Sequence, residues 1–389
     1  MRQKPLMISN MPTKAWLIIF VILLSVYSCS TRKKDPRIIL DRTYKNEILE
    51  SRKAMKVHFI TSSAPGVSVS VSVDGKTVWS EGMGYAGKEL LAPAKPETKY
   101  RIGGTSRMLT AFLIAKLQEE GKLNVNHSFY EYIPDFPKKQ WDFTPYQLGV
   151  HSAGFPEGKT DDLFNQSKDY PTLKDFVKGF SNDSLIYKPN TYFTISDKGA
   201  SLLGILAEEI TQKKFSALME EMILDTLGLD ETIIDHPLYL IENRSQTYYQ
   251  NYIAQMINAP AVDLSFCAPS QGFLSTADDL NQAGQIVLDS VFFNQQSRRL
   301  FFTPNKLGDY ETSIGFGWLI FKDDQGRQIY AQMGSTIGGS SMLLVYPEYK
   351  LVVSLCSNIS DDEGRLPAEQ IAKIFLKKID PRADDAKKE

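Results

Sequence analysis

Few side chains in this chain could carry chemistry, and their spacing rules out most of it. There are four histidines, His58, His127, His151 and His236, and three cysteines, Cys29, Cys267 and Cys356. None stands at the short intervals that hold a metal ion, and there is no CxxC pair, so neither a metal centre nor a dithiol redox site is expected. No cofactor is implied. His58, His127 and His236 read as loop or surface residues. Cys267 and Cys356 could pair outside the cytoplasm, but buried free thiols are the default reading. The remaining candidates are hydroxyls. Thr105 and Ser106 precede Leu109, Phe112, Leu113 and Leu117 at helical spacing, where a short hydroxyl side chain serves as a helix cap. Over 389 residues, 44 Lys+Arg face 46 Asp+Glu with no basic stripe, which argues against a nucleic-acid partner.

The elements that must position these residues begin with residues 64–84, where Val67, Val69, Val71 and Val73 alternate with serines up to Asp74-Gly75. This pattern predicts a hairpin that starts an antiparallel sheet. The run closed by Gly121 predicts a buried helix of about four turns. From about 125 to 300 the pattern is mostly helical, clearest at Leu202, Leu203, Leu206, Ala207 and Ile210. Strand signals return after Ser313, and a last helix is expected over about 367–378. Strands, a helical insertion, then strands and a terminal helix make an α+β architecture, with sheet parts at about 61–104 and 305–380 and a helical subdomain at about 105–304. A cleft is expected between them. Residues 381–389 form a charged tail.

The amino terminus reads as an address. Arg2, Lys4 and Lys14 precede an apolar run from Ala15 to Ser28, ending at Cys29. A positive segment, a short apolar core and a small residue before cysteine form a bacterial export signal over 1–28, with Cys29 as the lipidation site. Ordinary signal cleavage and an uncleaved anchor are the alternatives. Residues 29–60 then read as tether and lead-in, and the expected location is the cell envelope, on a membrane.

The segments YRIGGTSRMLTAFLIAKLQEEGKL (100–123), LGVHSAGFP (148–156), YFTISDKGASLLGILAEEIT (192–211), LGLDET (227–232), QGFLSTADDL (271–280), IGFGWLI (314–320) and QMGSTIGGSSMLLVYPE (332–348) occur in that order. In this the chain resembles the serine β-lactamase and penicillin-binding-protein family, nearest its class C β-lactamase and esterase branch, over about residues 60–378. The resemblance implies a serine-hydrolase fold in which an antiparallel sheet is flanked by helices.

It also implies three catalytic motifs, and all three are altered. A Ser-x-x-Lys pair puts a hydroxyl nucleophile one helical turn from the amine that takes its proton. Gly104 and Arg107 stand at those positions, one without a side chain and the other permanently protonated. The Tyr-x-Asn motif reads Ile195-Ser196-Asp197, and the Lys/His-x-Gly motif of an edge strand reads Gln332-Met333-Gly334. Ile195 cannot shuttle a proton, and Gln332 can hydrogen-bond a ligand but does not titrate. Acyl-enzyme chemistry is therefore expected to be absent. The family's oxyanion hole maps to the backbone NH groups of Gly104 and Ser335, which do not depend on side-chain identity. Arg107 and Asp197 are expected to form an ion pair at the cleft floor. As a structural pair it would close the site; as a functional one it would receive a carboxylate, such as the end of a peptidoglycan peptide. His151 is expected to support a loop. The competing readings are a hydrolase with its nucleophile relocated to Ser106, Ser196 or Ser335, and a scaffold that contacts another envelope protein.

Overall fold

In a computed structural model, residues 37–157, 170–253, 255–289, 291–361 and 366–380 are described. Cys29, the export segment and the charged tail lie outside them. The valine-serine alternation folds as its period demands. Strands β1 (Ile39–Leu40), β2 (Gly66–Val73), β3 (Lys76–Gly87), β4 (Ala92–Pro93), β5 (Ile314–Gly315), β6 (Trp318–Lys322), β7 (Gln328–Thr336), β8 (Gly339–Tyr346) and β9 (Leu351–Ser357) form one antiparallel sheet. Its order is β1-β3-β2-β9-β8-β7-β6-β5, with β4 on β3. Asp74 and Gly75 turn the β2–β3 hairpin with φ of 50° and 76°, the two positive values that a tight hairpin turn requires. The carboxy-terminal strands return to pair β9 with β2, so the two sequence-distant sheet parts are one sheet.

Both faces of that sheet are covered. Val67, Val69, Val71 and Val73 pack in one core with Met55 of helix α1 (Lys45–Ser62) and with Ile371, Phe375 and Leu376 of the terminal helix Ala368–Ile379. The serines between them face the other layer. There Asn281 donates from Nδ2 to the carbonyls of Ser70 and Val352, at 3.0 and 3.1 Å, and pins the helix Ala277–Ile286 across β2 and β9. Beyond it lies the larger core, centred on helix α2 (Ser106–Glu119), whose Met108, Leu109, Phe112, Leu113 and Leu117 are buried. Helix α3 (Asp197–Thr211) packs on α2. The segment 105–304 also contributes short β-structure: Phe273–Ser275 pairs with Tyr100–Arg101 on one side and with Ile233–Ile234 on the other.

Two features differ from the sequence reading. Much of the lead-in is helix α1, whose buried Ile48, Ser51, Met55, His58 and Ser62 recur at three- and four-residue steps. Serines and a histidine on the buried face blunt the apolar periodicity that would have announced it. The strand that carries Gln332 is not a sheet edge over its whole length. β6 pairs with β7 only from Gln328 to Ala331, so Gln332–Thr336 runs on beyond the end of that neighbour.

Candidate functional site

The site forms where a tight turn enters α2. Residues Gly103–Thr105 make a 3₁₀ turn, and Gly103 takes φ 53°. A Cβ on Gly103 would lie 2.6 Å from the carbonyl carbon and oxygen of Ser335, so only glycine lets this turn seat directly on β7. That contact brings the Gly103-Gly104 backbone against Ser335. At Gly104 a Cβ would overlap Arg107 Nη2 and come within 2.7 Å of Cζ and 2.9 Å of Nη1. The guanidinium thus fills the space that a nucleophile's side chain would enter.

Arg107 is held there by Asp197, the first residue of α3, with Nη1 donating to Oδ1 at 2.8 Å. The expected ion pair is present. The other carboxylate oxygen accepts from Gln271 Nε2, and Gln271 Oε1 accepts from Thr336 Oγ1 at 2.9 Å. A chain of hydrogen bonds therefore runs from α2 through α3 to β7. The Arg107 and Asp197 side chains retain 18% and 23% of their exposure, so the pair is neither dry nor freely solvated. The positive end of α3 also favours the carboxylate. Gln271 and Thr336 lie in the segments 271–280 and 332–348, and only the fold brings the two together at the cleft.

Gln332 is buried and donates its amide to the Gly317 carbonyl, a commitment that costs it reach as a ligand donor. Ile195 and Met333 are exposed and make the rim apolar. His151 has φ 58° and stands behind the second motif. Its Nδ1 accepts from the Ser196 NH at 3.3 Å, and its carbonyl accepts from Thr194 NH at 3.0 Å and from Tyr187 OH at 3.3 Å. Burial, and next the Arg107 charge, push its pKa down to about 3, so the imidazole stays neutral and serves as a support.

Ser106, Ser196 and Ser335, the hydroxyls weighed as relocated nucleophiles, each have a backbone partner. Ser196 Oγ donates to the Pro156 carbonyl at 3.0 Å, and Ser335 Oγ accepts from Asp361 NH at 3.1 Å. The caps assigned to Thr105 and Ser106 are not made, because the 3₁₀ turn already precedes the helix. Ser106 Oγ instead accepts from Phe273 NH at 3.4 Å, and Thr105 Oγ1 lies 2.9 Å from Ser341 Oγ. Two further expectations need correction or completion. His58 is buried on α1 with its Nε2 3.3 Å from Ser62 Oγ, not in a loop or on the surface, because it belongs to the packed face of that helix. Cys267 and Cys356 are free and buried, and burial pushes both thiols up.

Among known proteins, the human mitochondrial serine beta-lactamase-like protein LACTB is 27% identical over 379 residues, covering 73% of this chain and 69% of its own length. Protein flp of Staphylococcus aureus strain COL is 23% identical over 310 residues, covering 77% of this chain and 60% of its own. The crystal structure of FmtA from Staphylococcus aureus superposes with a TM-score of 0.73 at 21% identity, over 92% of this chain and 97% of that one. A class C beta-lactamase does so with a TM-score of 0.73 at 17% identity, over 87% and 98%. The sheet flanked by helices is thus the β-lactamase/DD-peptidase fold. The beta-lactamase family description matches residues 51–375, and with the ordered segments and the fold in agreement this chain belongs to the beta-lactamase family.

Proposed function

We propose that this protein is a non-hydrolytic member of the family, exported and held at a membrane through its amino-terminal segment, whose cleft binds a carboxylate-ended ligand instead of breaking a bond. One observation carries the reading: the Arg107 guanidinium, tied to Asp197, stands where the side chain of a nucleophile at position 104 would be. Loss of a nucleophile alone costs on the order of 10⁶ in turnover in a serine protease. Here the base is lost with it, since arginine keeps its proton. Arg107 fills the nucleophile's place beside Gly104 and stays partly exposed, which favours a carboxylate or similar anion docking against the guanidinium. The exposed Ile195 and Met333 supply an apolar border. A cell-wall peptide ending in a free carboxylate has that chemistry.

The test has two parts. Incubation with a fluorophosphonate or a labelled penicillin, followed by mass analysis, is expected to leave the protein unmodified; a stoichiometric adduct on any serine overturns the reading. Titration with a peptide ending in D-alanyl-D-alanine is expected to give saturable binding that Arg107→Gln abolishes. Binding that survives this substitution would remove Arg107 from the role. The five-site reversion Gly104→Ser, Arg107→Lys, Ile195→Tyr, Asp197→Asn and Gln332→His is expected to give weak esterase activity at best, because the supporting contacts of the cleft have changed as well.

A further inference from the structure

The loop that follows Asp235 exposes apolar side chains that the cleft does not use. Leu238, Tyr239 and Leu240 are 84%, 63% and 105% exposed. A cavity of about 610 Å³ lies behind them, lined in part by Tyr239, Leu240, Ile241 and Val262, and Leu240 remains fully exposed at its border. The loop is ordered by its own contacts. Leu238 NH donates to His236 Nδ1 at 3.3 Å, Tyr239 NH donates to the His236 carbonyl at 3.2 Å, and the Tyr239 ring stacks on His236 with centroids 4.2 Å apart. Backbone groups satisfied in this way tolerate a surface that withdraws water.

The same loop lies at the point where the chain enters the domain. Arg37 Nη1 bonds Glu231 Oε1 at 3.3 Å, Glu231 also binds Lys99, and Lys99 Nζ donates to the Glu242 carbonyl at 3.3 Å. Glu242 is two residues from Leu240, no more than about 7 Å along the chain. Upstream, only eight residue steps separate Arg37 from Cys29 and the apolar run that ends beside it, a reach of about 26–29 Å at full extension. Those steps include Arg32, Lys33 and Lys34, which favour an anionic lipid surface.

We propose that the loop 237–241 is a membrane contact, in which Leu238, Tyr239 and Leu240 enter the headgroup region of the bilayer that the amino-terminal segment reaches. Two leucines beside a tyrosine suit that interface, with apolar bodies in the acyl boundary and a polar tip in the headgroups. The inference rests on the membrane attachment proposed above. It adds a defined orientation, with the loop held on the lipid and the cleft beside it.

The full chain, bound to vesicles of phosphatidylcholine and phosphatidylglycerol carrying brominated acyl chains, tests it. Leu240→Trp is compared with the parent and with Val291→Trp, another highly exposed apolar position. Val291 adjoins Phe292, whose carbonyl accepts from Lys116 near the far end of α2. Quenching of roughly half the emission added at 240, with none at 291, is expected. Adding Leu238→Ser is expected to weaken the quenching at 240. Bound protein with no quenching at 240, or with equal quenching at both positions, overturns the proposal. Failure of the chain to bind these vesicles at all overturns the membrane attachment itself, a separate outcome.

Discussion

Two arginine–aspartate pairs lie at the ends of one short stretch of chain and have different natures. Arg101 Nε donates to Asp235 Oδ2 at 2.6 Å, with side-chain exposures of 7% and 1%. Its other nitrogens donate to the carbonyls of Ile337 at 2.9 Å and Val262 at 3.0 Å, and Arg244 binds the second oxygen of Asp235. Burial brings the Arg101 pKa down to about 10, so it remains a cation at neutral pH. Every nitrogen of this guanidinium has a hydrogen-bond partner, and the pair ties the β7–β8 turn to the segment at Asp235. Arg107 and Asp197, six positions further along for the arginine, are partly solvated, and one face of the guanidinium looks onto Gly104. A buried, multiply bonded pair holds structure, whereas a partly solvated pair can exchange a partner.

The sharpest way to break this contrast is Asp235→Ala. It leaves two arginines without their shared carboxylate and is expected to cost about 3–5 kcal/mol in denaturant unfolding. Asp197→Ala removes the partly exposed carboxylate and is expected to cost less, about 1–2 kcal/mol. Equal losses would erase the distinction between the two pairs. In the first pH unit below neutrality the smallest effect is on pH dependence. His151, depressed to about 3 in the fold, binds its proton only in the unfolded chain over the range from about 6.5 down to 3, so native stability is lost as pH falls through that window. The loss is up to about 1.4 kcal/mol per pH unit. His151→Asn, which tolerates the positive φ and keeps an acceptor for Ser196 NH, is expected to flatten that slope relative to the parent protein. Parallel pH profiles for the two proteins would show that the imidazole contributes no linkage.

The fold was readable because its signals are local. The Val-Ser alternation with Asp74-Gly75, the run from Leu109 to Leu117 and the late strands each appear as written. The Arg107–Asp197 pair was also readable, since ordered segments fixed both residues at a shared floor and opposite charges there must meet. What escaped depends on side chains crossing between elements. Nothing in the sequence tells that Gln271 reaches Asp197, that Thr336 reaches Gln271, or that Gln332 spends its amide on Gly317. The misread caps have a local cause: Gly103 and Gly104 permit a 3₁₀ turn where an ordinary helix start would have used the hydroxyls. Helix α1 escaped because small and polar residues line its inner face.

The overlap at position 104 also sets a direction on mutational paths. Any side chain added there while Arg107 remains forces the guanidinium to shift from its seat beside Asp197, so Gly104→Ser disturbs the pair before it can bring a gain. On the proposed non-hydrolytic reading, a gain of hydrolysis would have to begin at 107, in a background where a lysine without a neighbouring hydroxyl brings no benefit of its own. Neither first step is rewarded alone, so positions 104 and 107 have to change together.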